Sequence, residues 1–225
     1  MKKVSLIAGV CLVLLLIVMG CGEKGDSDRT DLRMGVSALT ALADDHITDC
    51  IDSLQDLAVM QEVQSADWQQ MADLMTKNAA KTGNTAIVWF ALPDGSYYTV
   101  AQGKVGQNLS DRDYFPKLMA GNTVTGALVV SKSTGKKSVV VAVPVMKQGK
   151  VIGGLGTSIF LDDLSNSLSQ KLGLPGDRVF YALDGTGAVA LSSDTSLIMA
   201  QNPDLAKNVE WQTSLLTGWR FALGY

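Results

Sequence analysis

Between Val124 and Leu161 three apolar runs, rich in β-branched residues, are separated only by tight turns. Val124–Ser131 leads into Ser133-Thr134-Gly135-Lys136, Lys137–Met146 leads into Gln148-Gly149, and Val151–Leu161 closes the set. Links this short join antiparallel neighbours, because a parallel pair needs a crossover of roughly a dozen residues or more. The centre of the chain is therefore an antiparallel meander, and everything else has to cover it.

The cover comes first in the chain. From Asp31 to about Lys81 there is no proline and only one glycine, Gly35. Leu32, Val36, Leu39, Ala43, Ile47, Cys50, Leu54 and Leu57 fall three or four residues apart, one stripe of a long amphipathic helix. Ser65-Ala66-Asp67 can break it, with Asp67 as N-cap of a second helix from Trp68 to Ala80 and Gly83-Asn84 as its stop. So long a helix can lie bare across the sheet or also pack against a second copy as a homodimer. His46 is the only histidine. With no second histidine and no cysteine pair, neither a zinc site nor a Ser-His-Asp arrangement assembles.

Thr85–Leu92 reads as a strand, Pro93-Asp94-Gly95-Ser96 as a turn, and Tyr97–Val100 as the returning strand. A two-residue Asp94-Gly95 turn places Trp89 and Ala91 on one face with Tyr98 and Val100. A short crossover, Asn108–Pro116, then leads to the meander. Beyond it, Asp162–Leu172 reads as a helix with acidic residues in its first turn. Val179–Leu183 and Ala188–Leu191 form one more hairpin, and Trp219–Gly224 a last strand. This C-terminal part is too small for a core of its own and is expected to lean on the long helix.

The extreme N-terminus carries an address. Met1-Lys2-Lys3 precedes an apolar run, Val4–Met19, that ends at Gly20-Cys21. Charged, apolar and small segments in that order form a secretory signal. Val18-Met19-Gly20-Cys21 resembles a bacterial lipobox, with Cys21 as the lipidated residue and Met19 departing from the usual small residue. The other reading is a retained membrane anchor, for which the run is short. The polar Gly22–Asp31 behind it favours a lipid and a tether. Removing residues 1–20 takes the formal charge from -3 to -5. No basic block is present, which argues against nucleic acid. Cys11 lies in the signal, so Cys50 is the one spare thiol and no disulfide framework is expected.

Several catalytic words are set aside. Ser133-Thr134-Gly135-Lys136 fits S-x-x-K and Lys81-Thr82-Gly83 fits K-T-G, but the serine sits in a hairpin turn and the order is reversed. Gly135-Lys136 lacks the earlier glycine of a P-loop. Asp111-Arg112-Asp113 has an arginine between its acids, which makes a metal site poor. No metal, cofactor or catalytic residue is expected.

The crossover N-L-S-D-R-D-Y-F-P concentrates two carboxylates, a guanidinium and two aromatics. Arg112 can fork around a small anion, and Tyr114 adds a hydroxyl on a flat apolar face. A purely structural reading stands beside this one. Ser110 can N-cap a helix with Asp113 completing a capping box, while Tyr114 and Phe115 anchor the core. Asp111 and Asp113 can also fix the arginine by a salt bridge.

The order of these pieces resembles the Cache (PDC-type, PAS-like) extracytoplasmic sensor domains of bacterial chemoreceptors and sensor kinases. The resemblance runs from about Asp31 to Ser193 through "PDGSYY", "GQNLSDRDYFPKLMAG", "VSKSTGKKSVVVAVPV", "GKVIGGLGTSIFLDDLS" and "FYALDGTGAVALSS". It implies an α+β fold: a long N-terminal helix packed on a PAS-like antiparallel sheet, with a small truncated second lobe closed by "LTGWRFALGY". Together with the N-terminal signal, it divides the chain into a signal peptide (1–20), a tether (21–30), a helical segment (31–82), a ligand-binding lobe (83–172) and a membrane-proximal-like lobe (173–225). It further implies a small-molecule pocket with Arg112 and Tyr114 on the ligand carboxylate, together with Trp89, Tyr98, Ser131 and Ser158. Where amino-acid-binding members carry a tyrosine and two aspartates, this chain has Val129, Ser131 and Ser158. The missing acids lean towards a carboxylate-like organic acid rather than an amino acid.

Sensors of this kind usually continue through a second membrane helix into a signalling domain, which this sequence does not show. The expected function is therefore a lipid-anchored, periplasmic sensor module working through a membrane sensor or transporter partner in signal transduction. The alternative is a structural lipoprotein that assembles through its long helix and binds no ligand.

Overall fold

The computed structural model describes residues 23–225. The signal and Cys21 lie outside the described residues. Helix α1 (Glu23–Ala58) is followed by a single turn, α2 (Gln61–Gln64), and by α3 (Trp68–Ala80). Asp67 caps α3 by accepting from the Gln69 amide at 2.9 Å, and left-handed Gly83 and Asn84 turn the chain towards the sheet. Most of the tether expected over residues 21–30 is helical, since α1 starts at Glu23. Arg29 and Arg33 both pair with Glu210 there, which ties the first turns to the C-terminal strands.

The main sheet has six strands: β1 (Ala86–Ala91), β2 (Ser96–Thr99), β3 (Gly103–Asn108), β4 (Val124–Val130), β5 (Lys137–Lys147) and β6 (Lys150–Phe160). Their order is β3-β2-β1-β6-β5-β4, every neighbour antiparallel. Gln148 and Gly149, both with positive φ, make the β5–β6 turn, and α4 (Phe115–Met119) lies in the crossover between β3 and β4. Helix α5 (Leu161–Leu172) leads to a four-stranded sheet of β7 (Val179–Leu183), β8 (Val189–Ser192), β9 (Val209–Thr213) and β10 (Arg220–Gly224), ordered β8-β7-β10-β9. β3 and β9 are additions to the sequence reading. Gly103–Asn108 has one β-branched residue and two glycines, and Val209–Thr213 alternates polar with apolar at an exposed edge, so neither announces itself.

The main sheet is covered on both faces, which explains why Val139 to Val143 are all apolar and buried. On one face Val139, Val141, Phe90 and Leu155 meet Leu39, Ile47 and Leu54 of α1. Fully burying a side chain such as Leu39 contributes about 2 kcal/mol. The stripe drifts towards its end, where Ile51 rather than Cys50 is buried. That face is continuous with Phe180, Trp219, Phe221 and Leu223 of the C-terminal strands. The smaller sheet thus leans on α1, and Ser214 donates to Asp44 on that helix at 2.7 Å. On the other face Trp89, Tyr97, Tyr114 and Phe115 form a separate cluster under the crossover. Among the described residues no helix is long and apolar enough to cross a membrane.

Candidate functional site

The site grows from a hairpin. Leu92 and Ser96 close a three-residue loop, with the Leu92 amide donating to the Ser96 carbonyl at 2.8 Å. Gly95 takes φ 83°, which a side chain would oppose, and a Cβ there would also strike Asn108 Oδ1. The space left by the missing Cβ lets Asn108 dock on the turn. Its Nδ2 donates to the Asp94 carbonyl at 2.9 Å, and its Oδ1 accepts from the Ser110 amide at 2.7 Å. This clasp fixes where the crossover starts and brings Arg112 and Tyr114 over the face that carries Trp89 and Tyr97.

The pocket floor is a tryptophan laid flat on the sheet. Gly156 pairs with Trp89 across the β1–β6 ladder, and a Cβ at Gly156 would come within 2.1 Å of the indole. The indole Nε1 donates to Ser158 Oγ at 3.1 Å, and the Tyr114 ring tilts over it at 6.4 Å between centroids. Val129 and Ser131 of the β4 end complete the wall. The cavity they enclose has a volume of about 20 Å³, room for a single water.

Its polar groups are unevenly partnered. The Tyr97 hydroxyl is sealed from solvent and has no hydrogen-bond partner, the one side-chain atom of which both hold among the described residues. Burial raises its pKa, while Ser133, near but outside bonding geometry, and the Arg112 charge pull it back. Burial likewise pushes the Tyr114 phenol well above the ordinary range, against the opposing Arg112 charge. Arg112 donates from Nη2 to the Val130 carbonyl at 2.7 Å and has no carboxylate partner among the described residues. Lys132 stands beside it at the mouth, joined to Asp111 at 2.6 Å. No Asp or Glu lines the cavity. Among the described residues no cluster of His, Cys, Asp or Glu could hold a metal ion.

No protein-family model matches the sequence, and no curated protein matches it. Solved structures do match. The ligand-binding domain of the Pseudomonas fluorescens chemoreceptor CtaA, in complex with L-isoleucine, superposes with a TM-score of 0.68 at 16% identity, covering 89% of this chain and 92% of that one. The ligand-binding domain of the Pseudomonas aeruginosa amino-acid chemoreceptor PctC, in complex with GABA, gives 0.66 at 14% identity, covering 90% and 100%. That of Campylobacter jejuni Tlp3, in complex with 4-methylisoleucine, gives 0.65 at 14% identity, covering 90% and 91%. The chain has the Cache fold.

Within that fold, Arg112, Tyr114, Trp89, Ser131 and Ser158 come together around a single cavity, the one over Trp89. Tyr98 does not. It pairs with Phe90 rather than sharing a face with Trp89, and its ring stacks on Trp68 at 5.3 Å on the helix side. The cause is the loop: three residues between Leu92 and Ser96, instead of two, shift the register by one and bring Tyr97 to the pocket face. The same Cache crossover corrects two further expectations. Ser110 and Asp113 form no capping box, because α4 starts at Phe115 with no side-chain cap. Asp111 pairs with Lys132 and not with Arg112. Sequence reasoning therefore missed Tyr97 and Lys132. Gly95 in third place of the loop was the available signal for Tyr97, whereas nothing local marks Lys132, which lies 21 residues from Asp111.

Proposed function

We propose that this protein is an extracytoplasmic small-molecule sensor, held to a membrane through a lipid on Cys21, that binds a small organic acid and acts through a partner protein. The observation that carries the reading is the charge pattern of the pocket: Arg112 and Lys132 at the mouth, and no acid in the lining. A ligand carboxylate can accept from the free donors of Arg112, from the unpartnered Tyr97 hydroxyl and from Ser131, with its apolar end on Trp89 and Val129. The similar domains were solved with L-isoleucine and GABA, both of which carry an ammonium as well as a carboxylate. An ammonium here would meet hydroxyls and no carboxylate, which favours the plain acid.

Room for the ligand comes from the mouth. Lys132 also donates to the Asn108 carbonyl at 2.6 Å, so it links the loop after β4 to the crossover. These are surface contacts, cheap to exchange for contacts with an anion. The signal has a direct route, since Ser158 lies two residues before the end of β6, which runs straight into α5 and on to the second sheet. The partner is a membrane sensor or transporter, or a second copy of the chain along the solvent side of α1.

The small cavity favours a second reading, in which side chains fill the pocket and the protein is an assembly lipoprotein. A thermal-shift screen of short mono- and dicarboxylates separates the two. A ligand present at about 100 times its Kd stabilises the folded state by about 2.7 kcal/mol. The sensor reading expects a stabilising acid whose effect disappears in Arg112→Ala; a screen without any stabiliser favours assembly.

A further inference from the structure

A larger cavity lies on the other side of the same strands. Where α1 and α3 meet the start of β1, a cavity of about 290 Å³ opens between helices and sheet. A dry cavity of about 150 Å³ is enough to take benzene, so this one has space for about twelve non-hydrogen atoms. It is independent of the pocket over Trp89. Thr157 lines this cavity and Ser158 the other, so the two sit back to back across β6.

Its walls hold hydrogen-bonding capacity that the protein leaves unused. Asn78 is only 8% exposed, and its Nδ2 donates to Ser53 Oγ at 3.0 Å. Whichever way the amide is turned, its other polar atom has no partner. Thr157 is 4% exposed and its hydroxyl has no partner either. Neither atom is sealed in protein, unlike the Tyr97 hydroxyl, so both look into the cavity. An amide and a hydroxyl carried on side chains this buried and turned into the cavity offer a ligand hydrogen-bonding groups that the protein itself does not use.

The remaining lining is amphipathic. Leu54, Ala86 and Ile159 supply an apolar floor. Asp49 and Lys81 stand exposed at the rim, one negative and one positive, and neither is ion-paired. His46, beside them, has its pKa lowered, first by burial and then by the Lys171 charge, against the opposing Asp49 charge.

We propose that this cavity is a second ligand site, for a small amphipathic zwitterion. The carboxylate lies at Lys81, the ammonium at Asp49, the apolar body on Leu54 and Ile159, and Asn78 and Thr157 hydrogen-bond the polar end. A pure acid or a pure amine leaves one rim charge unmatched.

The test is a saturation-transfer NMR titration on the full chain in detergent. L-Phenylalanine, with twelve non-hydrogen atoms, is the zwitterionic probe, and 3-phenylpropanoate and 2-phenylethylamine are its single-charge analogues. Saturable binding of L-phenylalanine in the millimolar range or tighter is expected, weakened about fivefold or more when either ligand charge is removed. Asp49→Ala and Lys81→Ala, both at exposed positions that do not endanger the fold, each reduce the affinity by a similar factor. Thr157→Val reduces it further. Arg112→Ala leaves it unchanged, which keeps this result separate from the fate of the pocket over Trp89. The proposal is overturned if no probe binds saturably, if either single-charge analogue binds as tightly as L-phenylalanine, or if binding is lost in Arg112→Ala and kept in Lys81→Ala.

Discussion

Lys132 Nζ lies 2.6 Å from Asp111 Oδ1, and this contact closes the mouth of the pocket over Trp89. The lysine is largely covered while the aspartate is open to solvent, with side-chain exposures of 18% and 67%. The pair therefore acts as a latch and adds little to stability. It also occupies the cation that lines this pocket together with Arg112. Asp111→Asn should free Lys132 and raise the affinity for a bound carboxylate by about two- to fivefold, with an unchanged melting temperature. Calorimetric titration of the two proteins checks this, and a weaker-binding variant would show that Asp111 supports the site.

The latch should not respond to pH near neutrality. The hydrogen bond from Lys132, then the positive charges of Lys132 and Arg112, hold the Asp111 carboxyl below its ordinary range. With the folded value depressed, its contribution is present above the unfolded pKa and is lost only as pH falls through the lower folded value. Ligand affinity is expected to be flat between about pH 5 and 8 as far as this group is concerned. An NMR titration of the Asp111 carboxyl with a midpoint at or above the ordinary aspartate range would contradict the latch.

Tyr97→Phe separates stability from function. Its hydroxyl is buried without a partner, so removing it should stabilise the free protein by about 1 kcal/mol, roughly 2–4 °C in melting temperature. If the ligand carboxylate accepts from this hydroxyl, the same variant binds it more weakly. A melting temperature that falls instead would mean that the hydroxyl is satisfied in solution.

What was legible in the sequence follows from the range of each interaction. The α1 stripe, the meander and the Asp67 cap depend on neighbours within a few residues, and all are visible in the spacing. The hairpin register depends on whether the Pro93–Gly95 loop has two residues or three, and that choice decides between Tyr97 and Tyr98. Arg112 was legible as a candidate anion holder, but its contacts were not. Both its partner, the Val130 carbonyl, and its competitor for Asp111, Lys132, come from the far end of β4.

Both sheets should unfold together. Leu39, Phe90, Phe180 and Trp219 belong to one continuous core, so Leu39→Ala is expected to cost about 2–5 kcal/mol and to lower a single transition. Two resolved transitions in calorimetry would show that the C-terminal strands fold separately.

Gly156→Ala tests the pocket floor. The added methyl would displace the Trp89 indole from Ser158, with a loss of about 1–3 kcal/mol. It should also abolish carboxylate binding, measured by the same titration. Full binding in this variant would place the ligand away from Trp89.

The central claim is that Arg112 holds the carboxylate of a small organic acid. Its most direct measurement is a calorimetric titration of the acid identified by thermal shift into the wild-type protein and into Arg112→Ala. The account predicts saturable one-site binding to the wild type, a loss of tenfold or more in the variant, corresponding to about 1.4 kcal/mol or more, and an unchanged melting temperature of the unliganded protein. Equal affinity in the two proteins would contradict it.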